Sequence, residues 1–344
     1  MAKLSRKFAL AVVLAGLLGI AGAAEDIVKP DHPDRYTVKK GDTLWDISAM
    51  FLNDPWRWSD IWYVNPQVHN PHLIYPGDVL ELAYVDGKPQ LRVVKGGPVK
   101  LSPQIRSRPV SDAIPTVPFD AIGPFLSRPY VVAEGELDKA PYVVDFADEH
   151  IIGGSGMRAY VRAINQPDPQ KFDVVREDGP YKDGETGEIL GYKAEYIGSG
   201  LLRRTGDPAT VFITNTEREM TVGDRLLPVT ADRPLEDFYP RPPASEVSGA
   251  IIDVLNGVSQ IGQYNVVVLD RGARDGLAPG VVLQVDQRGE TVRDIVADKP
   301  GTMVTLPDER AGLIMVFRTF DRVSFALVME AERPMHVLDK VRNP

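Results

Sequence analysis

The side chains in this chain that can offer acid–base or metal chemistry are five histidines, His32, His69, His72, His150 and His336, and 48 carboxylates; cysteine is absent. Without a thiol there is no cysteine nucleophile, thiolate zinc site, disulfide framework or lipobox attachment. His69 and His72 lie three apart on an expected loop with no third ligand nearby, so they read as solvated polar residues. No clustered metallopeptidase pattern occurs, and neither a metal nor another cofactor is expected. Two carboxylates alone can hydrolyse a glycosidic bond. The candidates Asp145, Asp148 and Glu149 sit in a charged, turn-rich stretch that reads as surface. Gly153-Gly154-Ser155-Gly156 lacks the lysine and helix of a phosphate loop and reads as a β-turn. The stretch from Asp270 to Leu277 lacks the terminal Glu of a calcium loop and reads as a turn between strands. A non-enzymatic chain is the expectation.

The elements that position these residues follow from composition. Among 344 residues there are 30 Gly and 29 Pro, which favours turns and short strands over helical bundles. All four tryptophans, Trp45, Trp56, Trp58 and Trp62, fall in one window. There a strand at 36–38 precedes the turn Gly41-Asp42-Thr43, with Asp42 or Thr43 available to cap a helix that carries Leu44, Ile47 and Phe51 on one face. Asn53-Asp54-Pro55 starts a second helix with Trp58, Ile61 and Trp62 on one face, and a closing strand covers 79–82. Trp45, Trp58 and Trp62 are expected in the core; Trp56 fits either core or surface.

Seven prolines between Asp86 and Pro124 read as an extended linker, within which 91–94 can pair as a strand. Beyond it, β-branched and aromatic runs at 142–146, 157–161, 211–214, 266–269, 281–285, 313–317 and 325–329 read as strands. The expected class is therefore α+β. A small βααβ module (35–84) leads through a Pro-rich linker (85–125) to a β-rich domain (126–230), a Pro-rich hinge (231–245) and a C-terminal β-rich domain (246–344). The last two read as distant repeats. Glu217-Arg218, Met220, Val222 and Asp224-Arg225-Leu226 recur 115 residues on as Glu332-Arg333, Met335, Val337 and Asp339-Lys340-Val341, with Leu338 where the first copy has Gly223. Upstream, the strand from Gly191 to Tyr196 aligns with that from Gly312 to Phe317.

Lys3, Arg6 and Lys7, the apolar run 8–20 and Ala21-Gly22-Ala23 read as a secretory signal peptide over 1–23. Its removal takes the net charge from −9 to −12, which argues against nucleic-acid binding.

Three blocks carry a resemblance. Tyr36-Thr37-Val38-Lys39-Lys40-Gly41-Asp42-Thr43-Leu44-Trp45-Asp46-Ile47-Ser48, then Ile61-Trp62-Tyr63-Val64-Asn65-Pro66, then Ile74-Tyr75-Pro76-Gly77-Asp78-Val79-Leu80 resemble a LysM module. The resemblance implies a module that binds N-acetylglucosamine-containing glycans, chiefly peptidoglycan, without cleaving them. It places the glycan between the first turn, Gly41, Asp42, Thr43 and Leu44, and the loop carrying Asn65, Pro66, Pro71, Leu73, Ile74 and Tyr75. Backbone groups there would meet the acetamido groups, while Leu44, Leu73, Ile74 or Tyr75 would cover sugar faces. One such shallow site is expected to bind at about 10 μM to 1 mM, or roughly 4–7 kcal/mol.

The C-terminal strands around Asp275-Gly276-Leu277 and from Gly312 to Arg318 look like the small β domain of a flagellar assembly protein. The whole arrangement is similar to the type IV pilus secretin-associated protein family. That implies a periplasmic location after cleavage near Ala23, association with the wall and, through a partner, the outer membrane, and a multi-copy ring around a secretin. The alternatives at this stage are a wall-remodelling enzyme or its activator, targeted by the module, and a general envelope spacer.

Overall fold

A computed structural model describes residues 27–62, 74–94, 114–115, 122–123, 125, 131–165, 170–229, 239–255, 260–297, 299 and 301–344. The chain forms two compact units, the first ending at Val117 and the second beginning at Pro118. The signal peptide reading lies outside the described residues, as do His69 and His72. Among the described residues no helix is long and apolar enough to cross a membrane.

In the first unit, β1 (Arg35–Thr37) pairs antiparallel with β2 (Val79–Val85), which pairs with β3 (Lys88–Val94). Helix α1 (Leu44–Phe51) and α2 (Trp58–Ile61), the latter preceded by a 3₁₀ turn at Pro55–Arg57, supply the apolar faces. Leu44, Ile47 and Phe51 are all buried, as the three-to-four spacing requires. Trp58, Ile61 and Trp62 close the same core with Leu80 and Leu91, the two tryptophan rings meeting edge to face at 6.1 Å. Trp45 is buried too, whereas Trp56 is half-exposed. Strand β3 departs from the linker expectation: it belongs to this sheet from Lys88 on. Its Pro89 is tolerated because β3 is the edge strand of the sheet, bridged on its outer side at Leu91 by Trp62.

The second unit is β-rich. Its first part contains β4 (Val131–Val132), β5 (Tyr142–Phe146), β6 (Arg158–Arg162), β7 (Lys171–Lys182), β8 (Ile189–Arg204), β9 (Ala209–Thr216) and β10 (Arg225–Pro228). Because β8 pairs with both β7 and β9, six of these seven strands close in the order β5-β6-β9-β8-β7-β10, with β4 added against β8. The second part contains β11 (Ser248–Leu255), β12 (Val266–Leu269), β13 (Val282–Gln287), β14 (Thr291–Arg293), β15 (Met303–Thr305), β16 (Glu309–Thr319), β17 (Ser324–Ala331) and β18 (Lys340–Arg342). It is a closed barrel in the order β11-β12-β17-β16-β13-β18, from which the hairpin β14–β15 stands apart. Closure satisfies every strand edge and fills the interior with Ile251, Leu269, Leu283, Ile314 and Val328.

The two barrels share strand order and direction, and their turns carry equivalent backbone bonds. Met220 exchanges backbone bonds with Gly153, and Met335 does so with Ile261. The N–H groups of Glu217 and Arg218 converge on the carbonyl of Ile197; those of Glu332 and Arg333 converge on Ala311. Thus Ile197 corresponds to Ala311 and Gly198 to Gly312. The alignment of Gly191 with Gly312 is therefore corrected: the true partner lies seven residues further along β8. Both stretches of β8 are glycine followed by strand-forming residues, and strand propensity by itself does not say which stretch faces which partner.

The tip of the β7–β8 hairpin ties the barrels together. Arg271 Nη1 donates to Asp183 Oδ2 at 3.0 Å, and the Gly184 N–H donates to Asp270 Oδ2 at 3.1 Å. Arg322 pairs with Glu188 at 2.6 Å, and Lys193 with Asp253 at 3.5 Å. The Thr186 N–H, helped by Glu185 and Arg271 and opposed by burial, holds the Asp183 carboxyl down at about 2. Burial pushes Asp270 above the usual carboxylate range. The 270–277 stretch is accordingly a turn, as expected, but one whose first residue locks an inter-barrel contact. Of the hinge expected over 231–245, Arg241 is docked on the second barrel by bonds to Gly280 and Val282.

Candidate functional site

The chemistry-bearing part of the first unit begins at the turn after β1. Tyr36 Oη and the Lys39 N–H both donate to Asp42 Oδ2, at 2.9 and 2.8 Å. Burial and the adjacent carboxylate hold the Tyr36 hydroxyl above its ordinary pKa. Asp42 thus braces the turn, and the capping role falls to Thr43. The Asp46 N–H donates to Thr43 Oγ1 at 3.1 Å, and Asp46 Oδ2 receives the Thr43 hydroxyl at 2.8 Å and its N–H at 3.3 Å. This capping box satisfies donors of the first helical turn that would otherwise be orphaned.

The opposing loop is fixed by its own chemistry. The Asp78 N–H donates to the Tyr75 carbonyl and the Tyr75 N–H to Asp78 Oδ2, both at 3.0 Å. Pro76 presets the second position of this turn, and Gly77, at φ +98°, supplies the left-handed third that a side chain would strain. Val38 then clamps turn to loop, donating to Asp78 and accepting from Gly77 at 2.9 and 2.8 Å. Val38, ahead of the turn, is thus tied to the loop at Gly77 and Asp78, and Leu44 and Ile74 share one apolar cluster. Asn65, Pro66, Pro71 and Leu73 lie outside the described residues.

The roles within that set differ from expectation. Leu44 is 4% exposed and Ile74 is 0% exposed, so both side chains belong to the core. Of the apolar candidates among the described residues, Tyr75 alone keeps partial exposure. One contact went unanticipated. The Leu44 N–H donates to the Pro115 carbonyl at 3.0 Å, and the Ile114 N–H donates to the Ile74 carbonyl at 2.8 Å. Nothing in the proline-rich stretch around 114–115 signals a return to this loop.

Elsewhere, Asp148 pairs with exposed Arg158 at 3.3 Å, which fits solvated surface. Gly154 and Met157 close a turn with Gly156 at φ +87°, as expected for the glycine-rich stretch. A polar cluster unmarked in the sequence lies on the first barrel, where Ser199 Oγ donates to Asp173 Oδ1 at 2.8 Å and meets Tyr196 Oη at 2.5 Å. Among the described residues no group of three His, Asp or Glu side chains is placed to hold a metal ion.

The LysM domain family matches residues 36–82. The chain is 42% identical over 60 residues to an uncharacterized protein, YqbP, of Bacillus subtilis (strain 168), a match covering 14% of this chain and 27% of that protein. The chain thus spans about a quarter of that relative's length. Residues 36–82 are a LysM domain, a binding module whose presence implies a peptidoglycan or other N-acetylglucosamine-containing ligand and association with the cell wall.

Proposed function

We propose that this protein is a non-catalytic scaffold of the cell envelope that holds peptidoglycan through its LysM domain. The observation that carries the reading is the LysM match at 36–82 together with the two locked loops, Gly41 to Leu44 and Ile74 to Asp78. An acetamido group has one N–H donor and one C=O acceptor. The Leu44 N–H and Ile74 C=O are complementary to them, and the partly exposed Tyr75 offers a sugar face. Asn65, Pro66, Pro71 and Leu73 complete the proposed groove. Weak single-site affinity then calls for several copies acting together.

In the finer reading, the protein is exported to the periplasm and its two barrels contact an outer-membrane secretin of the type IV pilus kind as a multi-copy ring. Support comes from the resemblance of the whole arrangement to secretin-associated proteins. The test has two arms. Purified protein is pelleted with purified sacculi and run on a peptidoglycan zymogram; retention without a cleared band is expected, and a cleared band would replace the scaffold with a wall-remodelling enzyme. Pull-down from solubilised outer membranes is expected to recover a secretin. Wall fragments without secretin would leave an envelope spacer.

A further inference from the structure

We infer that the segment carrying Ile114 and Pro115 is a built-in competitor for the glycan groove, so that the LysM domain exists in plugged and open forms. This rests on the glycan reading above. The segment follows β3 in sequence and is bonded at the two loops proposed to hold sugar. There the Pro115 carbonyl takes the Leu44 N–H at 3.0 Å, and the Ile114 N–H is taken by the Ile74 carbonyl at 2.8 Å. These are the backbone donor and acceptor proposed to meet an acetamido group. A peptide offers the same pair of amide functions, so segment and glycan compete for identical partners.

The side chain adds the second half of the argument. Ile114 is 7% exposed and packs in the same apolar cluster as Leu44 and Ile74. The magnitudes allow competition. A tethered segment acts at an effective concentration on the order of 1 mM, while a single shallow glycan site is expected at about 10 μM to 1 mM. A segment of similarly weak intrinsic affinity is then closed in most molecules, and a glycan binds only by displacing it. Apparent affinity falls by the fraction of molecules open, so a plug closed in about nine molecules of ten raises the apparent Kd about tenfold.

The test compares the full chain with its Ile114→Gly variant, using the N-acetylglucosamine hexamer as probe in calorimetric titration. The variant is expected to bind about tenfold more tightly. Because Ile114 is also a core residue, amide exchange on the unmodified chain gives an independent reading. Saturation with hexamer should strip protection from the Ile114 N–H while the β2 amides stay protected. Equal affinity in a folded variant, or an Ile114 amide still protected in the hexamer-bound chain, overturns the plug and leaves the glycan reading standing. Absence of hexamer binding by both forms overturns the glycan reading itself, and the plug with it.

Discussion

Gly223 and Leu338 occupy the same corner of the two barrels. Gly223 donates its N–H to Val143 at 2.8 Å with φ +96°, and Leu338 donates its N–H to Ile251 at 2.7 Å with φ +77°. The first copy meets the left-handed requirement with the residue that accepts it freely; the second holds a leucine there at a cost of about 1–2 kcal/mol. Leu338 is 42% exposed, so its side chain returns little of that cost through burial. Replacing Leu338 with glycine should raise stability by about 1 kcal/mol, measured by urea titration of the full chain. A lower midpoint would mean that leucine packing outweighs the strain.

Thr43 caps α1 through the reciprocal bonds with Asp46. Thr43→Ala should destabilise the first unit by about 1 kcal/mol, seen as faster amide exchange in α1. The β-rich unit should keep its melting temperature. An unchanged α1 would show that packing alone holds the helix end.

The Asp183 carboxyl sits at about 2 in the folded chain, below its ordinary value of 3.8. A depressed carboxylate contributes stability that is present above the unfolded pKa and is lost as pH falls through the folded one. The stability advantage of the natural chain over Asp183→Asn should therefore be full at pH 5 and should fade between about pH 4 and pH 2. Urea midpoints of both proteins across that window provide the measurement, and a difference independent of pH would refute the assignment.

Tyr75 is held in place by its backbone bonds to Asp78 while its side chain stays partly exposed. Tyr75→Ala should weaken sacculus binding about fivefold, the equivalent of about 1 kcal/mol for a lost ring contact. The melting temperature should move little. Full retention would place the sugar-facing surface elsewhere on the domain.

How far the fold was legible depended on whether a residue acts locally. Leu44, Ile47 and Phe51 at helical spacing, Thr43 before them, and Pro76-Gly77 in a turn are short-range signals, and each did what its type suggests. The paired Asp224 and Asp339 also stood out, because each receives a backbone N–H three residues back, from Thr221 and from His336. Such a turn needs that side chain at that place, so the repeat is written most plainly there. The strands of the repeat were misaligned upstream because any β-branched or aromatic residue suits a barrel wall. The strand expected at 91–94 starts earlier, at Lys88, because an edge position tolerates Pro89 and the place of a strand within its sheet is invisible in the order of residues.

The sequence by itself determined the LysM module and the β-rich character of both halves of the remainder, since capping, turn chemistry and periodicity operate over a few residues. The tertiary structure alone decided that each half closes on itself, through pairings such as that of β11 with β18 across some ninety residues. It also decided that Leu44 and Ile74 face the core and that Ile114 and Pro115 return to the loops beside them. Those outcomes depend on where backbone donors and acceptors separated by long stretches of chain find partners, and no local pattern encodes that choice.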